Sequence, residues 1–357
     1  MSNGIDEATL KSKHSEETEE LRRQLDEKDR RLQEYRKEHG KLEVFFHSVL
    51  AKISSILPLP RSYSPVLTKG KFPIVAVMQI SDGHMGAVQE ADEIEGFGEF
   101  NPSIADMRNL DYARRFIKWV QVQRNGYAIN EVTVLVTGDL ISGDIHDELR
   151  ITNAFPSPEQ VVRAASIHAQ QIIMMAPHFE KITVEFITED NHARMTKKPQ
   201  AKEAGKNSLN YLVGILMQGY LASHTNVEFN IYPMLEKVVT VNERQYLISH
   251  GHGVRGWMGI PWYGVERKVG RESQARMQMI MQNLNDEMTM AREIGFHKYV
   301  FGHFHTPFNS TLYSCSGSVS GTDAYDHING RHANPSQSSW LVHPRYGEFN
   351  RIDFNLK

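Results

Sequence analysis

The chain has a single cysteine, Cys315, in 357 residues, so no internal disulfide can form and the fold cannot depend on an oxidising compartment. It has no apolar run near the roughly 18 residues that a membrane helix needs. Its opening, MSNGIDEATLKSKHSEETEE, lacks the basic start and apolar stretch of a signal peptide. Charge of one sign is not in excess either: 40 Lys and Arg against 43 Asp and Glu leave a formal net charge of −3. That balance gives no global attraction to nucleic acid or an anionic membrane, so any polyanion contact must come from a local patch or from bound cations. These absences predict a cytoplasmic protein with no membrane partner. What remains is an ordinary globular composition, 40% hydrophobic and 23% charged, with one unusual figure: 17 histidines, several clustered beside carboxylates.

Three segments are predicted. Residues 1–56 are expected to form an N-terminal charged helix, since 14–40 are dense in Glu, Arg, Lys and Gln, lack proline and have helix-forming composition. Leu21, Leu25, Leu32, Tyr35, Leu42, Phe46, Val49 and Ile53 fit alternating heptad core positions if Lys28 and His39 are accepted as polar interruptions. Two readings fit: a solvated helix packing its last turns on the main domain, or a coiled coil that pairs subunits into a homo-oligomer. Residues 57–73, with four prolines, read as a linker. From residue 74 onward, short apolar runs rich in β-branched residues (74–81, 132–138, 182–188, 246–251, 298–303) alternate with helical spacing over 106–124, 159–176, 206–222 and 271–294. This alternation predicts a layered α/β fold.

The polar residues fall at the ends of those strands. Asp82 and His84 follow the first, Asp139 the second, Asn191 and His192 the third, His250 and His252 the fourth, His303 and His305 the fifth. Loops at the carboxyl ends of strands in an α/β sheet hold side chains on a rigid base, and ligands bind there. Any one of these clusters alone is more simply a turn or a satisfied histidine; five together point to one site. Oxygen from Asp and Asn with nitrogen from His suits borderline divalent ions, and the missing thiolates argue against a structural zinc knot.

The ordered series Asp82-Gly83-His84, Gly138-Asp139, Asn191-His192, His250-Gly251-His252 and Gly302-His303-Phe304-His305 resembles the calcineurin-like metallophosphoesterase superfamily over about residues 74–307. The resemblance implies two mixed β-sheets packed face to face with helices outside. It implies two divalent ions, Mn²⁺ first, with Fe²⁺, Zn²⁺ and Ni²⁺ also suited. Asp82, His84 and His305 would hold one, Asn191, His250 and His303 the other, and Asp139 would bridge. His192 would be the general acid, with a metal-activated water as nucleophile.

The chain departs from the family pattern at Asp190 and Ala193, where the family has glycine and often an acid, and at Ser142, where an acid usually orients the catalytic histidine. Asp144 and Glu189 are the candidates for that orienting role. Arg194 is a candidate phosphate clamp, and His252 and Arg255 lie in the Gly-, Trp- and Arg-containing segment 251–272, which can stack bases and pair phosphates as a loop. The Gly-Ser run 316–325 reads as polar and flexible and, with 143–149, resembles phage-encoded and DNA-repair-like relatives; a phage-encoded chain would act in the host cytoplasm. The leading expectation is a phosphodiesterase acting on nucleic acid or a nucleotide, with nuclease activity included. The rivals are a phosphomonoesterase and a non-catalytic adaptor.

Overall fold

A computed structural model describes residues 73–254, 261–282, 291 and 293–357, with residues 19, 22, 23, 25–30 and 33 near the N-terminus. The chain divides into two units, Met1–Pro58 and Leu59–Lys357. In the first, the described residues are helical and exposed, Leu25 among them. The rest of the heptad series, the coiled-coil reading and the linker as far as residue 72 lie outside the described residues; Pro73 already opens a strand.

In the second unit the strands are β1 (Pro73–Ile80), β2 (Ala128–Val136), β3 (Lys181–Ile187), β4 (Val227–Tyr232), β5 (Glu236–Val241), β6 (Arg244–Ser249), β7 (Lys298–Phe301), β8 (Phe308–Asn309), β9 (Tyr313–Cys315), β10 (Ser336–His343) and β11 (Gly347–Asn355). They form two mixed sheets, ordered β11-β10-β1-β2-β3-β4 and β5-β6-β7-β9-β8. β1 to β4 run parallel, as do β6, β7 and β9. Parallel strands covered on both faces read as continuous apolar runs, as β1 does. Their period of two sorts the side chains. Val75 and Val77 meet Leu135, Ile187, Trp340 and Val342 of their own sheet and Val239, Tyr246, Ile248 and Val300 of the other in one core, so the sheets pack face to face. Each such fully buried aliphatic or aromatic side chain is worth on the order of 1.5–3 kcal/mol.

The helices lie outside. Along the first sheet, α1 (Pro102–Gln123) starts at Asn101, whose side chain accepts from Ile104 N, with Pro102 in the first turn. Its Tyr112 hydroxyl lies 3.0 Å from Gln79 O and 2.8 Å from Ser338 O, fastening it to β1 and β10. A short α2 (Asp147–Thr152) precedes α3 (Ser157–Met175), which packs against both α1 and α4 (Leu209–Leu221). On the second sheet, Leu247, Tyr299 and Phe301 point away from the inter-sheet core and pack with Val265 and Val269 of α5 (Trp262–Gln282). No helix among the described residues is long and apolar enough to cross a membrane.

Two expectations change here. The helix expected over 271–294 begins at Trp262, so the latter half of segment 251–272 is helix rather than loop. Gly264 and Gly270 disguised it, because glycine weakens helical propensity, whereas Pro261 accepts from Val265 N and starts the first turn. Trp262, offered as a base-stacking residue, has its ring 4.8 Å from Phe308 and 6.1 Å from Tyr313. Arg255 and Trp257 lie outside the described residues. The Gly-Ser run is not a flexible flap: Ser316, Ser318, Val319, Ser320 and Thr322 are all buried. Val319 N donates to Asp82 O (3.0 Å), and Arg108 donates to the carbonyls of Val319 and Ser320 (2.9 and 3.0 Å), because a buried polar backbone must be paired.

Candidate metal centre

The carboxyl ends of β1, β2, β3, β6 and β7 meet at one rim, and the chain turns sharply as it leaves them. Asp82, His84, Asp139, His303 and His305 have φ of 49°, 42°, 49°, 73° and 57°. They are five of the ten non-glycine residues with positive φ among those described. L-residues enter that region at a cost of about 1–3 kcal/mol each, so the surroundings must impose it. Asp82 N donates to Gly138 O, His84 N to Asp139 O and Gly302 N to His250 O, locking the turns to one another. At Gly302 a Cβ would run into Ser81 Oγ and the Asp82 carboxylate. At Gly138, with φ of 99°, it would sit 3.0 Å from His250 Nδ1. Both glycines permit an approach that any side chain would block.

Two groups of ligand-type atoms result. Asp82, His84 and His305 offer atoms within 4.8 Å of one another, as do Asp139, His250 and His303. In the first group His84 Nε2 is 3.0 Å from His305 Nε2, which is 3.6 Å from Asp82 Oδ1. In the second, His250 Nε2 lies 3.0 Å from Asp139 Oδ2 and 3.2 Å from His303 Nδ1. Asp139 also belongs with His84 and His192 in a third set of the same span, which joins the two groups. Asn191 Oδ1 is buried with no hydrogen-bond partner.

Other buried polar groups hold these side chains. Ser81 Oγ donates to Asp82 Oδ2 (2.5 Å), and His303 N donates to Asp82 Oδ1 (2.9 Å). His250 Nδ1 pairs with Thr137 O at 3.0 Å, and His305 Nδ1 with Asp326 Oδ2 at 2.5 Å. Asp190 accepts from Asp139 N and Ala193 N, both at 2.7 Å, and from the Asn210 side chain. The residue at the family's glycine position therefore clamps the Asp139 and Asn191 turns together. Asp190, Asn210 and Asp326 were not among the predicted site residues. Asp190 adjoins Asn191 in sequence and Asp326 directly follows the Gly-Ser run 316–325, but nothing in the sequence pairs Asp326 with His305, and Asn210 stands well away from every motif.

Burial and charge act against each other here. Burial raises the carboxyl of Asp139, but His250 and His192 beside it hold it well below the usual range. Burial, followed by the charge of Asp139, pushes Asp190 up to about 7. Burial lowers His250 and His305, yet Asp139 brings the first up to about 9 and Asp326 the second to about 10. His84 and His303 are held well below 6.5 by burial and by neighbouring imidazoles. Carboxylates thus favour positive charge on two of the four adjoining rings.

His192 flanks the cluster. Its ring centroid is 4.8 Å from that of His84, its Nε2 is 3.8 Å from Asp139 Oδ2, and its Nδ1 pairs with Ser142 O at 2.7 Å. The two acids considered as its orienting partner are occupied or placed elsewhere. Asp144 accepts from Ser157 Oγ, and half-buried Glu189 lines a small cleft of about 30 Å³ with Arg194 and His252. A backbone carbonyl takes the role expected of an acid. Arg194 folds onto its own loop, donating to Thr196 O at 3.2 Å. His252 has its ring 5.7 Å from that of His250, and burial lowers it to about 4. His146, which the sequence did not single out, brings its ring within 5.8 Å of that of His192.

No family model matches the chain, and no curated protein is similar enough to match. Solved structures that it resembles include a hypothetical protein from Pyrococcus horikoshii OT3, 13% identical, with a TM-score of 0.35 over 79% of this chain and 88% of that one. A conserved uncharacterised protein from Streptococcus pneumoniae TIGR4, described as a predicted phosphoesterase, is 10% identical, with a TM-score of 0.23 over 79% and 98%. Zinc-complexed Vps29 from Entamoeba histolytica is 11% identical, with a TM-score of 0.26 over 80% and 99%. Similarity of this order carries no argument about chemistry, which rests on the side chains.

Proposed function

We propose that this chain is a two-cation phosphoesterase of the calcineurin-like metallophosphoesterase superfamily. The observation that carries the reading is the convergence of two three-residue donor groups, joined through Asp139, from the ends of four strands, β1, β2, β6 and β7. The donors fit divalent ions. Two ligands about 2.1 Å from one ion, at tetrahedral or octahedral angles, stand about 3.0–3.4 Å apart, and the nitrogen pairs lie at 3.0 and 3.2 Å. The unpartnered Asn191 Oδ1 fits the same purpose, since a buried acceptor without a donor is otherwise a cost. Asp82, His84 and His305 would hold one cation, Asn191, His250 and His303 the other, and Asp139 both. Mixed oxygen and nitrogen donors suit Mn²⁺ first and Fe²⁺, Zn²⁺ or Ni²⁺ next.

When bound, such a pair supplies Lewis-acid polarisation of a phosphoryl group and a nucleophile at neutral pH. The chain's own residues do the rest. With Nδ1–H donating to Ser142 O, His192 presents Nε2 to the cluster, and a proton held there passes to the leaving ester oxygen. Arg194 and His252 border the adjacent cleft, where a phosphate oxygen or flanking nucleotide would lie. The substrate we favour is a phosphodiester in nucleic acid or a nucleotide. In support, protein phosphatases of this superfamily carry an Asp-Arg pair where this chain has Ser142-Gly143.

The test is Mn²⁺-dependent hydrolysis of mono- and bis-p-nitrophenyl phosphate and of single- and double-stranded DNA. Asp139→Ala should lose cation binding and all activity. His192→Ala should keep the cations and lose about 10²–10⁴-fold on esters with poor leaving groups, and far less on p-nitrophenyl esters. Equal loss on both ester types would remove His192 from the general-acid role. Hydrolysis of the monoester alone would make the protein a phosphomonoesterase, and bound Mn²⁺ with no ester cleaved would leave a non-catalytic adaptor.

A further inference from the structure

A third cluster of ligand-type residues, His305, Asp323 and Asp326, adjoins the first donor group. It is not a third ion site. His305 Nδ1 and Asp326 Oδ2 are 2.5 Å apart, closer than the separation of about 3 Å that two ligands on one cation need, so what lies between them is a proton. Asp326 is buried, and its other oxygen sits 2.7 Å from the Arg331 guanidinium. It rides on the short helix α6 (Ala324–Ile328), whose cap Asp323 accepts from Asp326 N at 2.7 Å. The carboxylate is therefore held from two directions and aimed at one ring nitrogen.

The matching ring of the second group is held differently. His250 Nδ1 faces the neutral carbonyl of Thr137 at 3.0 Å. A carboxylate behind a ligating imidazole fixes the tautomer and makes the far nitrogen a stronger donor than a carbonyl does. The direct oxygen donors add to this asymmetry: Asp82 is a carboxylate, whereas Asn191 is a neutral amide.

We propose that Asp326 is a positioning residue that makes the Asp82–His84–His305 site the tighter of the two, so that the cations load in order, this site first. The inference rests on the two-cation reading above. In that order the first cation is resident, and the second, on Asn191, His250 and His303, is the one gained or lost as free metal varies.

Calorimetric titration of the chelator-stripped full chain with Mn²⁺ tests it. Wild type should show two resolved steps. Asp326→Asn, nearly isosteric, should weaken the tighter step about 10–100-fold and leave the weaker one within about threefold. Equal weakening of both steps, or no change in either, overturns the inference, as does a wild type whose two sites are equally tight. A wild type that takes up no cation defeats the two-cation reading itself. A second measurement does not depend on the variant folding: in the Zn²⁺-loaded wild type labelled with ¹⁵N-histidine, His305 should carry its proton on Nδ1 and the metal on Nε2. The reverse assignment overturns the proposal.

Discussion

The strand-end cluster and a groove at the opposite ends of β6 and β7 make an instructive pair. The groove is the roomier, about 470 Å³, lined by Arg244, Tyr246, His297, Lys298, Asn309 and Glu348 among others. Its buried ammonium is matched: Lys298 Nζ sits 2.8 Å from Glu348 and 2.6 Å from Asn309. The positive φ values beside it, at Asn242 and Glu243, belong to the two-residue turn that joins β5 to β6, where that conformation is the ordinary one. At the strand ends the adjacent cleft is only about 30 Å³, yet ligand-type atoms of Asp82, His84, Asp139, His250, His303 and His305 converge on strained turns that no hairpin explains. Volume marks a place where something fits. Converging donors on an enforced backbone mark a place built to bind.

Three substitutions or conditions would sharpen or break that contrast. The largest effect is expected from Gly302→Ala, whose methyl group would press on Ser81 and Asp82. It should weaken Mn²⁺ binding about 100-fold and cost about 1–3 kcal/mol of stability; wild-type affinity by titration would contradict the account. Lys298→Met should act in the opposite sense. Its ammonium and the Glu348 carboxylate are both largely buried, so removing one partner should cost about 3 kcal/mol in urea unfolding while ester hydrolysis per folded molecule stays unchanged. A loss of turnover there would join the groove to the site.

The third effect, absent at neutral pH, concerns a histidine beneath the cluster that is no ligand. His168 is buried, pairs with Gln171 and has its Nε2 3.4 Å from where a Cβ on Gly83 would stand. Burial lowers it to about 4. Because the unfolded chain then binds the proton that the folded chain refuses, its contribution is intact above about pH 6.5 and falls by about 1.4 kcal/mol per unit on acidifying towards pH 4. His168→Gln should flatten the stability curve across that window. An unchanged slope would show that the acid sensitivity arises elsewhere.

The contrast also explains what was legible in the sequence. Strands announced themselves as β-branched runs, and the residues immediately beyond five of them are those that the fold brings to one rim, because parallel strands in two facing sheets end together. What was hidden depends on contacts that sequence spacing does not encode. The partner of His192 is the backbone of Ser142, which any residue would supply. Asp326 stands twenty-one positions beyond the histidine it holds, behind a Gly-Ser run whose composition suggested mobility and whose burial comes from pairing with Asp82 and Arg108. The start of α5 was masked by its glycines. Asp190 looked like damage to a motif; in the fold it is the clamp between two turns.

The central claim is that Asp139 is shared by two cations. The most direct measurement is the anomalous difference map of a crystal of the full chain grown with Mn²⁺. The account predicts two peaks about 3.5–4 Å apart, one against Asp82, His84 and His305, the other against Asn191, His250 and His303, with Asp139 between them. A single peak, or peaks away from Asp139, would contradict it.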